Sequence, residues 1–224
     1  AMASYGLYNL GIAYLQDNQT ELGIFNLNEM IRLANDDEES RNLKDKAALA
    51  IAYRYLQDNN FASARDSLLR VRLEGPYSNS ALLSLAYSYY LNKQYQEALP
   101  ALLELQRRNP ADPTVQEAFL LTARTYEDLG ARNQSIASYR IAAMTLREQL
   151  TQLERTATRT DEAAWPDILS PMQVNTKDAD PLNIKDIPAG NNAITAGLFA
   201  KLFASPAFNE GFKTYKQLAR MQDL

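Results

Sequence analysis

Apolar residues recur along the first two thirds of the chain at helical spacing, three and four apart, in paired blocks separated by short polar turns. One turn string marks the pairing. Tyr14-Leu15-Gln16-Asp17-Asn18 returns identically as Tyr55-Leu56-Gln57-Asp58-Asn59, then in altered form as Tyr89-Tyr90-Leu91-Asn92-Lys93 and Tyr126-Glu127-Asp128-Leu129-Gly130. The tyrosines are 41, 34 and 37 residues apart. A repeat of this length built from two helices cannot bury its apolar face alone, so neighbouring pairs must stack into a solenoid. Small residues fall where two helices must cross closely: Gly11, Ala52, Ala86 and Ala123 in the first helix of each pair, Gly23, Ala64 and Ala98 in the second. Asp112 followed by Pro113 reads as an N-cap and first helical residue, and Ser78 or Asn79 as the cap after Gly75-Pro76. Pro100 predicts a bend or a late start in its helix.

These positions resemble the tetratricopeptide repeat (TPR) family. The first repeat matches at Leu7, Leu10, Gly11, Tyr14, Gly23, Leu27 and Met30. The second matches at Ala48, Ile51, Ala52, Tyr55, Phe61, Ala64, Leu68, Val71 and Pro76. Leu82, Leu85, Ala86, Tyr89, Tyr95, Ala98, Leu102, Leu105 and Pro110 carry the third. The fourth has Phe119, Ala123, Tyr126, Gly130, Ser135, Tyr139 and Ala142. The resemblance implies an all-α, right-handed solenoid over 4–155, with repeats at about 4–35, 45–76, 79–110 and 113–155. Seven extra residues separate the first two repeats and include Asp36-Asp37-Glu38-Glu39. That run reads as a solvated helix end, since it lacks the alternating acidic spacing and glycine of a Ca²⁺ loop.

Beyond the repeats the pattern changes twice. Ile136, Tyr139, Ala143, Leu146, Leu150 and Leu153 form a heptad-spaced seam, which predicts a last repeat helix running past Leu146 towards Arg155. Residues 156–190 hold Pro166, Pro171, Pro181 and Pro188 together with Trp165, and read as a Pro/Asp-rich strap or linker. Residues 191–224 carry Leu198, Phe199, Leu202, Phe203, Phe208, Phe212, Tyr215 and Leu218, and read as a helical hairpin. No stop signal precedes Leu224, so the hairpin is expected to continue in the natural protein. Ala1-Met2-Ala3 reads as a cloning remnant ahead of the native chain.

Composition sharpens the class. Of 224 residues, 32 are Leu and 32 Ala against three Val, which favours helix and excludes a β-sandwich or barrel. There is no His and no Cys. Imidazole acid–base chemistry, thiolate nucleophiles and disulfides are thereby excluded. No phosphate loop, nucleophile elbow or metal triad occurs, so no enzyme, catalytic residue, metal or cofactor is expected. Glu127-Asp128 beside Arg124 reads as a solvated helix end. The net charge of −4 gives no electrostatic case for nucleic acid, and no run is long enough to span a bilayer. The absence of Cys, the many Asn and Gln, and the likeness to bacterial repeat proteins favour a periplasmic or membrane-associated setting over the cytoplasm.

The resemblance also implies a ligand surface. First helices line the inner face in this family, which here places Tyr8, Ile12, Leu49, Tyr53, Leu83, Tyr87, Tyr90, Leu120 and Arg124 in a groove, with Glu127 at its end. Only Lys46 and Arg124 match the family's carboxylate clamp, so a Tyr- and Leu-rich groove for a protein or peptide segment is expected instead. The implied role is an interaction scaffold or adaptor in a bacterial, envelope-associated assembly. The alternative is a self-association module, a homodimer through the 136–153 seam, whose groove is filled in cis by 156–224.

Overall fold

A computed structural model describes residues 2–159, with side chains from 3 to 155. The strap at 156–190 and the hairpin at 191–224 lie outside the described residues except where the last helix reaches Arg159. Among the described residues eight helices follow one another in four pairs: α1 (Met2–Gln16) and α2 (Thr20–Leu33), α3 (Glu38–Gln57) and α4 (Phe61–Leu68), α5 (Ser78–Leu91) and α6 (Tyr95–Gln106), α7 (Pro113–Asp128) and α8 (Arg132–Arg159). No strand occurs among the described residues. The chain divides into two units, Ala1–Ala143 and Met144–Leu224; the described part of the second is the continuation of α8.

The recurring string folds into the same helix-ending turn four times. Its last residue is left-handed in every copy, with φ of 59° at Asn18, 56° at Asn59, 58° at Lys93 and 74° at Gly130. The next amide donates back to the tyrosine carbonyl: Gln19 to Tyr14 (2.9 Å), Asn60 to Tyr55 (2.8 Å), Gln94 to Tyr89 (2.9 Å), Ala131 to Tyr126 (2.9 Å). This is the Schellman arrangement, which satisfies the last carbonyls of each odd-numbered helix and reverses the chain. Asn and Gly tolerate left-handed φ, which is why three copies end on them.

Each core spans three or four successive helices. Leu27, Met30, Leu43, Ala47 and Ile51 pack with Leu7, Tyr8, Ile12 and Leu15 across α1, α2 and α3. Ala48, Leu49, Ala52, Leu68, Val71 and Ala81 join α3, the end of α4 and α5. Leu82, Ala86, Leu102, Leu105, Val115, Phe119 and Ala142 join α5, α6, α7 and the first turns of α8. The small residues sit at the crossings as predicted: Ala52, Ala64, Ala86, Ala98 and Ala123 are fully buried, and Gly11 and Gly23 are buried. A Cβ on Gly23 would lie 2.6 Å from Leu15 Cγ and 3.0 Å from the Gly11 carbonyl, so α1 and α2 touch there backbone to backbone.

One local expectation is narrowed and another corrected. Helix α6 begins at Tyr95 with Pro100 inside it, so of the bend or late start expected there the late start does not occur. Tyr77, not Ser78 or Asn79, is the N-cap position of α5, and no side chain caps it. Ser78 and Asn79 are engaged elsewhere: Arg108 Nη1 donates to Ser78 Oγ (2.6 Å) and Asn79 Oδ1 (2.7 Å), latching the end of α6 to the start of α5. Asp112 does cap α7, accepting from the Thr114 amide at 2.8 Å with Pro113 next to it. The acidic run is a helix start: Asp37 accepts from the Ser40 amide (2.9 Å) as N-cap of α3, with Glu38 and Glu39 in the first turn. The seam lies on one continuous α8, and Ile136, Tyr139, Leu150 and Leu153 are exposed there.

Candidate functional site: the odd-helix face

Odd-numbered helices touch in succession, α1 with α3, α3 with α5 and α5 with α7, so their outward side chains share one surface. The structure sorts the nine predicted lining residues into three groups. Leu49 and Leu83 turn into the core at 6% and 9% exposure, unlike the outward position expected of them. Ile12 and Tyr8 are half-buried in the first core. Tyr53, Leu120 and Arg124 are exposed, while Tyr87 and Tyr90 lie half-buried beside the last two.

Three tyrosines are held by carboxylates on the neighbouring repeat and a fourth, Tyr139, by one within its own pair. Tyr5 Oη on α1 donates to Glu39 Oε1 on α3 at 2.7 Å. Tyr87 on α5 donates to Glu117 Oε1 on α7 at 2.7 Å, and Tyr90 on α5 to Asp128 Oδ2 on α7 at 2.6 Å. Tyr139 on α8 donates to Glu127 Oε2 at 3.0 Å. Between α1 and α3 a second link is Lys46 Nζ, lying 5.1 Å from the centre of the Tyr8 ring. A hydroxyl donating to a carboxylate is a charge-assisted bond, so each tie fixes a ring that would otherwise sample several rotamers.

The phenols respond accordingly. Burial, then the bond to Glu117, pushes Tyr87 up to about 12. Tyr90 is raised first by its bond to Asp128 and then by burial, with Arg124 opposing. Tyr5 and Tyr139 are raised chiefly by Glu39 and Glu127. All are neutral hydrogen-bond donors at physiological pH. Arg124 Nε lies 3.9 Å from Asp128 Oδ2 with most of its side chain in solvent, leaving donors for a further acceptor. Among the described residues no group of three or more carboxylates stands where it could hold a metal. No helix there is long and apolar enough to cross a membrane.

The surface therefore offers fixed aromatic rings, the exposed Leu120 and Tyr53, and one guanidinium. Hydrophobic periodicity does not reveal the three ties between repeats, whose partners lie 30 to 38 residues apart. The Tyr-to-carboxylate spacing near one repeat length was the signal that would have found them.

No protein-family model matches the chain, and no curated protein matches it. Solved structures do. The crystal structure of MamA superposes with a TM-score of 0.54 at 17% identity, covering 66% of this chain and 81% of that one. A second MamA structure, MamA MSR-1 C2, gives a TM-score of 0.49 at 19% identity, covering 63% and 76%. A Podosopora anserina putative kinesin light chain with nearly identical TPR-like repeats gives 0.40 at 15% identity, covering 66% and 96%. At such identities the likeness is one of fold. The described residues form an all-α helical-repeat solenoid, similar in fold to MamA.

Proposed function

We propose that the chain is a non-enzymatic scaffold or adaptor that binds a protein segment along its odd-helix face, within a bacterial, envelope-associated assembly. A fold of this kind generally serves protein interaction. The observation that carries the reading is the preorganised lining: Tyr87 and Tyr90 are locked by Glu117 and Asp128 beside exposed Leu120 and Arg124. Rings fixed before binding lose little entropy on contact, and tyrosine and arginine are common anchors of protein interfaces. Apolar side chains of the segment would meet Tyr53, Tyr87 and Leu120, and an acceptor on it would meet Arg124.

Selection of a displayed peptide library on the purified chain tests this. Enrichment of a shared apolar motif, binding one to one at constant chain mass, supports the adaptor. Failure to enrich any motif, with a stable dimer that unfolds when Leu150→Asp is introduced, supports the self-association module instead.

A further inference from the structure

On the other flank of α3, between the end of α2 and the segment after α4, lies a cavity of about 370 Å³. That size falls within the range of small-ligand sites, about 300–1,000 Å³. Ile31 and Ala48 form its apolar wall, and four cations line the rest: Arg41 and Lys44 from α3, Arg70 and Arg72 from beyond α4. They are not equivalent. Arg72 is fully engaged, donating from Nε to Asp45 Oδ2 (2.8 Å), from Nη2 to Asn42 Oδ1 (2.7 Å) and from Nη1 to Glu38 Oε1 (3.2 Å). Asp45 is buried, at 3% exposure, and Gly75 leaves room for it: a Cβ there would stand 2.8 Å from Asp45 Oδ2. This network fixes the wall.

Of the remaining cations, Arg41 is paired with Asp36 and lies 4.0 Å from Glu38, whereas the other two are under-used. Lys44 Nζ makes no hydrogen bond or ion pair among the described residues, and the Arg70 guanidinium has a single 3.4 Å bond to Asn28. Asp36 stands at the rim, its exposed carboxylate bonded to Arg41 Nε and Nη2 at 3.1 Å each. Arg41 first, with smaller contributions from Lys44 and Arg72, holds that carboxyl below its ordinary value. An exposed carboxylate thus rests in the field of three cations.

We propose that this cavity is an anion site for a phosphate monoester or free phosphate, gripped by Lys44, Arg70 and Arg41, with Asp36 as the internal anion it displaces. A compact dianion with three acceptor oxygens suits forked guanidinium and ammonium donors better than a monocarboxylate does. The site is separate from the tyrosine face and independent of the role proposed for it.

Calorimetric titration of the full chain with inorganic phosphate, and separately with a phosphoserine peptide, tests the assignment. Lys44→Gln with Arg70→Gln should weaken phosphate binding about tenfold or more, the loss of charge-assisted bonds. Asp36→Asn should tighten it by about threefold or more, because the competing anion is gone. Tighter binding of the peptide than of free phosphate identifies a phosphorylated side chain as the source; equal or weaker binding identifies free phosphate. The proposal is overturned if Asp36→Asn does not tighten binding, or if Arg107→Gln, remote from the cavity, weakens it as much as the double variant. It is also overturned if wild type binds no phosphate. Unchanged thermal midpoints show that the fold is intact in each variant.

Discussion

A single backbone angle repeated four times ties the chain's most legible string to its structure. Asn18, Asn59, Lys93 and Gly130 all occupy the left-handed region that ends an odd helix. Lys93 is the ill-suited member, since a left-handed lysine costs about 1–2 kcal/mol over a right-handed one. Lys93→Gly should therefore raise stability by about 0.5–1 kcal/mol, the gain partly offset by the flexibility of glycine when unfolded. Equilibrium denaturation measures it. Tyr87 tests the inter-repeat ties. Tyr87→Phe should cost about 0.5–1 kcal/mol, the low end for a charge-assisted bond because the pair is half exposed. The sign with pH follows from the raised phenol. Its stabilisation is present in full below the unfolded value of 10.0 and is lost as pH rises towards about 12. Wild type should lose stability across that window relative to Tyr87→Phe.

At the scale of elements, close crossing sets the pair geometry. Gly11 and Gly23 face each other across α1 and α2, and neither has room for a methyl group. Gly23→Ala should destabilise the first repeat by about 1–3 kcal/mol through overpacking, read as a lower denaturation midpoint. Gly6, where a Cβ would meet nothing within 4 Å, is the control and should tolerate alanine. The sequence made these crossings visible, because small residues at fixed offsets from the repeated tyrosine have one efficient use. It also made the Asp112 cap and the length of α8 visible, since both are local signals. Capping at Ser78 was misread for a non-local reason. Arg108, thirty residues later, takes the hydroxyl that a local rule would assign to an amide. Pro100 sits well inside α6, which removes the late start from the two outcomes, bend or late start, that its missing amide allows.

Over the whole repeat unit, each core is shared by neighbouring pairs, so stability and the odd-helix face are built by the same stacking. That the odd helices form one surface was legible from the repeat. Which side chains reach it was only partly so. Adjacent helical positions differ by about 100° around the axis, so a small rotation decides between core and surface. Leu83 turns inward while Leu120 on α7 remains 48% exposed. The tyrosine ties were hidden because a hydrogen bond between repeats leaves no periodic trace in hydrophobicity.

The most direct test of the interaction face compares dissociation constants of one library-selected segment for two variants of equal stability. One carries Tyr53→Ala and Leu120→Ala on the odd helices; the other carries Leu69→Ala and Leu103→Ala, exposed at the even helices. The odd-helix variant should bind at least about tenfold more weakly, as expected on truncating two anchors, and the even-helix variant should bind as wild type does. Equal affinities, or a loss confined to the Leu69–Leu103 variant, would contradict a binding site on the odd-helix face.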